Sequence, residues 1–192
     1  MSDHIDFYFD IISPYAYIAY KKISKINNVN FKLKPILLGG LHNLAGITAP
    51  AFNKYKMKNI QNDCKVVAKK NNISFKWNSR FPINSLSIMR GYLCVDVSKK
   101  EKYLNSFFDA YWKEDQDLSN EENIKIILKK LKIDENDFFN SIGNQDIKDK
   151  LKELTQEAFK KEVFGAPTFI VNNKIFWGQD RLEYALDEVK NI

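Results

Sequence analysis

Strand-like hydrophobic patterning is confined to the two ends of this sequence, and that arrangement limits the folds open to the chain more than any other feature. At the start, Ile5 to Asp10 (IDFYFD) is an apolar run rich in aromatic and β-branched residues, ended by Asp10, and reads as a buried strand. Ser13 then fits a helix N-cap, with Pro14 at the first helical position, where its missing N–H costs nothing. Tyr17, Ile18, Tyr20, Ile23 and Ile26 recur at helical spacing, so a helix is expected from Tyr15 to about Ile26. Residues 30–36 (NFKLKPI) alternate as a second strand, and Gly39-Gly40 reads as a break. At the far end, Thr168 to Val171 reads as a strand, Asn172-Asn173 as a tight turn and Lys174 to Trp177 as the hairpin partner. Gly178 breaks that strand, and Gln179-Asp180-Arg181 opens a last helix, LEYALDEV.

Between about Ala49 and Lys161 the period is helical, in the segments MKNIQNDCKVVAKKN, NSLSIMRGYLCVDV, EKYLNSFFDAYWKED, NEENIKIILKKLK and IKDKLKELTQEAFKK. Asn, Asp and Ser punctuate these segments as caps and turns. The order is therefore βαβ, a helical block, then ββα, with no internal repeat or low-complexity linker.

Composition narrows the function classes. The 192 residues are 44% hydrophobic, enough for one core or a core with a satellite. The net charge of +6 is carried mostly by lysine, since Arg80, Arg90 and Arg181 are the arginines. That bias does not resemble an arginine-built nucleic-acid surface, and the basic run from Lys54 to Lys70 reads as a solvated helix face. Cys64 and Cys94 are isolated in helical patterns, without a CxxC motif or a paired ligand set, and inert thiols are expected. His4 and His42 are the only histidines, which argues against a histidine-built metal site and leaves little for a Ser-His-Asp triad. No apolar N-terminal segment with a basic flank and no membrane-length run is present, so a soluble, cytoplasmic protein is expected, with no membrane or nucleic-acid partner.

A βαβ half and a ββα half sharing one sheet is the α/β arrangement of the thioredoxin-like fold, here with a large all-helical insertion. Residues 1–40 and 146–192 are expected to form the thioredoxin-like domain and residues 41–145 the insertion. The first strand ends at the helix start that carries Ser13, and Ala166-Pro167 precedes a strand that would face it. A cis Pro167 would turn the backbone of Ala166 toward a peptide-like ligand. An ordinary proline at the start of an edge strand is the alternative, and only about 5–6% of X-Pro bonds are cis. The fold context favours cis.

The sequence resembles the 2-hydroxychromene-2-carboxylate isomerase family, bacterial relatives of the kappa-class glutathione transferases. The resemblance rests on Asp10 with Ser13-Pro14-Tyr15, Pro35-Ile-Leu-Leu-Gly-Gly40, Phe81-Pro-Ile-Asn-Ser-Leu86 with Arg90, Val163 to Val171, and Phe176-Trp-Gly-Gln-Asp-Arg-Leu182. It implies that glutathione is the cofactor and that Ser13 holds its sulfur, beside Pro14 and Tyr15. It also implies that the backbone of Ala166, before Pro167, pairs with the cysteinyl part, and that Gln179 and Asp180 bind the γ-glutamyl group. A helix start suits that group's carboxylate and Asp180 its ammonium, which is favoured over a capping role alone, and the two are compatible. The implied reaction is conjugate addition of the thiolate to a small aromatic or electrophilic carboxylate, ring opening, rotation and elimination. A kappa-like transferase or peroxidase shares the same activation, and dimerisation is implied by the resemblance alone.

Magnitudes make this activation sufficient. A free thiol of pKa ~8.5 is only about 3% thiolate at pH 7, and lowering it by about two units takes roughly 2.7 kcal/mol. A hydroxyl hydrogen bond to the anion supplies ~1.5–3 kcal/mol, and the positive helix start ~0.3–1 kcal/mol more. A disulfide oxidoreductase on this fold would need cysteines where Ser13 and Ala16 stand, and a hydroxyl cannot exchange with disulfides.

The family pattern is not complete. Ile47 stands where kappa-like relatives have an asparagine that contacts glutathione, with Asn43 nearby. Lys58 to Asp63 keeps the ends of the family's Lys-Tyr-Met-x-x-Asp stretch and loses its aromatic. Ile47, Lys58 and Arg90 are therefore read as a substrate cleft between the two parts, and a non-catalytic glutathione-like ligand binder remains a reading. Tyr15 either orients a substrate or packs on the insertion. Arg90 either binds a substrate carboxylate or makes a structural salt bridge. Trp177 is read as core.

Overall fold

The protein is represented by a computed structural model that describes residues 4–190, so residues 1–3 and 191–192 of the expected terminal segments lie outside it. Along the chain come β1 (His4–Phe9), α1 (Pro14–Ile23), β2 (Asn30–Pro35), α2 (Leu38–Ala45), a 3₁₀ turn at Pro50–Phe52, and α3 (Lys54–Lys70). Then follow α4 (Leu86–Cys94), α5 (Val97–Trp112), α6 (Glu121–Lys130), α7 (Glu135–Gly143) and α8 (Gln145–Lys160). The chain closes with β3 (Thr168–Val171), β4 (Lys174–Trp177), a 3₁₀ turn at Gln179–Arg181 and α9 (Leu182–Lys190).

The sheet has the order β2-β1-β3-β4. β1 and β2 run parallel, with Phe7 opposite Leu33, while β3 is antiparallel to both β1 and β4. The connections follow from the sequence. A helix is required to bring parallel β2 back beside β1, whereas Asn172-Asn173, both at positive φ, close the β3-β4 hairpin as a tight turn.

β1 is central and buried on both faces, so its alternating side chains feed two cores. Ile5, Phe7 and Phe9 join Tyr17, Phe108 and Phe169 in the larger one, where Phe9 lies edge-on to Tyr92 at 5.3 Å between ring centres. Tyr8 joins Ile36, Leu41, Ala158 and Val163 in a smaller one, formed with α2 and α8. The helical block is fixed to α1 by polar contacts as well: Tyr17 Oη donates to the Ser74 carbonyl at 2.6 Å, and Lys21 Nζ lies 2.8 Å from Asp109. Gly91 of α4 sits where any side chain would collide with Tyr103 Oη and the Phe138 ring, which explains how α4 approaches α5 and α7 so closely.

Three expectations need correction. Gly39 and Gly40 do not break the chain but lie inside α2, whose start is held from elsewhere: Leu38 N–H donates to Asp10 Oδ2 at 2.8 Å and Leu37 N–H to Thr155 Oγ1 at 3.0 Å. The helical segments named from the sequence pass over α7, where Asp134 accepts from Asp137 N–H at 2.9 Å as its N-cap, and Phe138 and Ile142 bury one face. Trp177 is not core; it is 54% exposed on the edge strand, its ring tilted against Phe164 at 5.0 Å between centres and covering the bare Cα of Gly165. α3 is the solvated helix expected of the basic run, burying Cys64 and Ala68 while Lys54, Lys56, Lys58, Lys65, Lys69 and Lys70 face solvent.

Candidate active site

The site is built where the end of β1, the segment leading into β3 and the end of β4 meet at one end of the sheet. β1 runs into the turn 10–13, in which Ser13 N–H donates to the Asp10 carbonyl at 3.1 Å. Trp112 of α5 holds the same turn by donating its indole N–H to the Ile11 carbonyl at 2.7 Å. Ser13 has extended backbone angles and caps α1, its Oγ accepting from Ala16 N–H at 3.1 Å, with Pro14 at the first position as read from the sequence. The same hydroxyl donates to the carbonyl of Ala166, 153 residues away, at 2.8 Å. The Ala166-Pro167 bond is cis. Ser13, Pro14, Ala166 and Pro167 are thereby brought together.

Gln179 and Asp180 follow β4. Gly178, at φ 110, reverses the chain there, and Asp180 Oδ1 occupies the space a side chain at that position would need. Asp180 is exposed, 3.5 Å from the Arg181 guanidinium. Gln179 is buried instead, and its side-chain oxygen is taken by Lys22 Nζ at 2.6 Å. Burial lowers the Lys22 pKa. Of the two residues read for the γ-glutamyl group, Asp180 presents a carboxylate to solvent, while the Gln179 oxygen is committed to anchoring α1.

Tyr15 packs on the insertion. Its hydroxyl donates to Asp63 Oδ2 of α3 at 2.7 Å, and burial with this bond raises its pKa. Ile47 and Lys58 are both exposed. Arg90 lines a cavity of about 560 Å³ between α2, α4 and α8, together with Asn43, and neither Ile47 nor Lys58 is among its walls. The residues read as one cleft are thus not gathered in that cavity. Nor does Arg90 make the structural salt bridge considered for it among the described residues: its Nε is buried without a hydrogen-bond partner.

One residue of the site carried no role in the sequence reading. Asp10 is fully buried, and its carboxylate accepts from Ile12 N–H at 3.2 Å, Leu38 N–H at 2.8 Å and Ser85 Oγ at 3.0 Å. It therefore links the Ser13 turn, the start of α2 and the start of α4. Burial raises its pKa to about 6, against the lowering effect of these donors. A carboxylate closing an otherwise apolar strand was the available signal; its partners, far along the chain, were not legible. A second cis peptide, Phe81-Pro82, precedes Ser85 and was also not anticipated.

Chemically, the arrangement offers a hydroxyl at a helix start beside a backbone carbonyl that can pair with a peptide-like ligand. The thiols lie elsewhere: Cys64 is buried with its pKa pushed up to about 12, and burial raises that of Cys94. Among the described residues no cluster of His, Cys, Asp or Glu is suited to a metal ion, and no helix is long and apolar enough to cross a membrane.

Comparison with known proteins agrees with this layout. The chain is 25% identical to the 2-hydroxychromene-2-carboxylate isomerase of Pseudomonas putida over 183 residues, covering 93% of this chain and 90% of that protein. It is 23% identical to glutathione S-transferase kappa 1 of Rattus norvegicus over 197 residues, covering 93% and 87%. The solved structure of a selenomethionine 2-hydroxychromene-2-carboxylate isomerase superposes with a TM-score of 0.90 at 24% identity, over 97% of this chain and 94% of that one. The family of DSBA-like thioredoxin domains matches residues 4–190, and the chain belongs to that family.

Proposed function

We propose that this protein is a glutathione-dependent isomerase of the 2-hydroxychromene-2-carboxylate type, in which Ser13 stabilises the glutathione thiolate. The observation that carries the reading is the 2.8 Å hydrogen bond from Ser13 Oγ to the Ala166 carbonyl at the start of α1. It puts a proton donor, a helix start and a backbone acceptor for a peptide-like ligand within one bond of each other. The similarity to isomerases and to kappa-class transferases supports glutathione as the partner.

The residues present fit that partner. Bound there, glutathione supplies a nucleophilic sulfur that adds to the acceptor and leaves again. Ser13 turns its hydroxyl proton from the Ala166 carbonyl to the sulfur, while Ala16 N–H keeps the hydroxyl oxygen in place. A ligand amide N–H replaces the hydroxyl as donor to Ala166, so the carbonyl is not left unpaired. The exposed Asp180 carboxylate suits an ammonium group.

The exchange tempers the energy available. A hydrogen bond to the anion contributes ~1.5–3 kcal/mol, and the neutral bond given up returns ~0.5–1.5 kcal/mol to the debit side. With ~0.3–1 kcal/mol from the helix start, the net gain centres on about 2 kcal/mol and lowers the thiol pKa by about one to two units. That yields a thiolate population of roughly a quarter to three quarters at pH 7.

The test is turnover of 2-hydroxychromene-2-carboxylate with and without glutathione, in wild type and Ser13→Ala. The reading expects glutathione-dependent isomerisation that falls at least about tenfold in the variant. Turnover without glutathione, or equal rates in both proteins, would remove it. Conjugation of an electrophilic acceptor, with no isomerisation, would assign the transferase reaction instead.

A further inference from the structure

The cavity between α2, α4 and α8 shares no wall with Ser13, Ala166 or Asp180. Its chemistry is nevertheless specific. Leu37, Leu44, Leu86 and Leu151 supply apolar walls, and Arg90 reaches in from α4. The Arg90 Nε is buried and has no acceptor. A buried donor left unpaired is costly, and native structures pair nearly all of them.

The surrounding charge does not supply the missing acceptor. Lys148 and Lys152 of α8 add two more cations to the walls, and Asp149 is the one carboxylate among the lining residues. Asp149 does not come within ion-pair distance of Arg90; its Oδ1 instead accepts from Gln145 Nε2 at 3.0 Å. The cavity thus holds an excess of positive charge about the Arg90 guanidinium, which makes no ion pair among the described residues, with leucine side chains beside it. At about 560 Å³ it lies within the usual size of a small-molecule site.

We propose that this cavity is a second binding site, for an organic carboxylate with an apolar body, the carboxylate pairing with Arg90 and the body lying against the leucines. A guanidinium matches a carboxylate through parallel N–H donors, which suits Arg90 better than a point charge would. An inorganic anion would satisfy the charge but leave the leucine walls wet. A neutral apolar molecule would fill the walls and leave the guanidinium charge without a counter-ion.

The site is independent of the glutathione reading, and its test is kept separate. Binding of 4-(trifluoromethyl)benzoate to the full chain would be followed by ¹⁹F NMR, with 4-(trifluoromethyl)benzamide as the neutral counterpart and inorganic phosphate as competitor. The expected result is saturable binding of the carboxylate, with the amide at least about tenfold weaker, as for loss of one charge-assisted pair. Phosphate should compete poorly. Arg90→Gln should lower carboxylate affinity to the amide level, and Ser13→Ala should leave it unchanged. Leu44 is 44% exposed on the wall, so Leu44→Trp should be tolerated and should weaken both probes by obstructing the cavity, which reads the same site should Arg90→Gln fail to fold. Failure of the carboxylate to bind, equal affinity for the amide, effective competition by phosphate, or indifference to Arg90→Gln or to Leu44→Trp would each overturn the proposal. Loss of binding in Ser13→Ala would place the probe at the thiol site and overturn it as well.

Discussion

The starts of α1 and α2 lie at the same end of the sheet, and they are held in opposite ways. α1 is capped by its own neighbour in sequence, Ser13, whose hydroxyl accepts from Ala16 N–H. α2 has Leu37 at its cap position with no side-chain bond, and its free N–H groups are taken by Asp10 from the end of β1 and by Thr155 from α8. The first device is local and uses only the hydroxyl oxygen, so the hydroxyl proton goes to the Ala166 carbonyl instead of to the helix. The second is assembled only when the chain has folded, and it ties the end of β1 and α8 to the start of α2.

The contrast is tested first at Asp10. Replacement by Ala leaves Leu38 N–H and Ser85 Oγ buried without their acceptor, and the expected loss is about 2–4 kcal/mol in urea unfolding at pH 7. A loss no greater than that of an average surface substitution would mean that α2 does not depend on this carboxylate.

The next largest effect concerns pH. Asp10 has a folded-state pKa raised from 3.8 to about 6, so between these values the folded state retains a proton that the unfolded state has lost. This contribution is therefore greatest below about pH 4, falls as pH rises toward 6 and levels off above it, by on the order of 3 kcal/mol. Asp10→Asn lacks this titration. The wild type should lose stability relative to that variant across this window, and parallel pH profiles would show that Asp10 does not titrate there.

Smaller effects separate the two caps further. Thr155→Val removes the acceptor of Leu37 N–H and the donor to the Leu151 carbonyl, at an expected cost of about 1–2 kcal/mol. Ser13→Ala removes a local cap and should cost only about 0.5–1.5 kcal/mol. If Ser13→Ala proved the more destabilising of the two, the local cap would be the main structural anchor of this end of the sheet.

The same contrast explains what could be read from the sequence. The βαβ and ββα ends, the Ser13 cap with Pro14, the hairpin turn at Asn172-Asn173 and the break at Gly178 all depend on near neighbours and on backbone preferences of the residues themselves. Gly39 and Gly40 misled because an intrinsic preference against helix was outweighed by burial of Leu41 and by donors satisfied from Asp10 and Thr155. Trp177 misled because an aromatic in a strand suits a core and an exposed edge equally, and only the strand order decides. Within the site, the meeting of Ser13 with Ala166 followed from the order of elements, whereas the Lys22 contact to Gln179 and the isolation of Arg90 depend on how helices pack.

The central claim is that Ser13 acts on the thiol of bound glutathione, and its most direct measurement is the pKa of that thiol by ultraviolet absorbance of the thiolate. In the wild type it should lie about one to two units below the free value of ~8.5, and in Ser13→Ala it should return toward ~8.5. A bound thiol with the same pKa in both proteins would contradict the account.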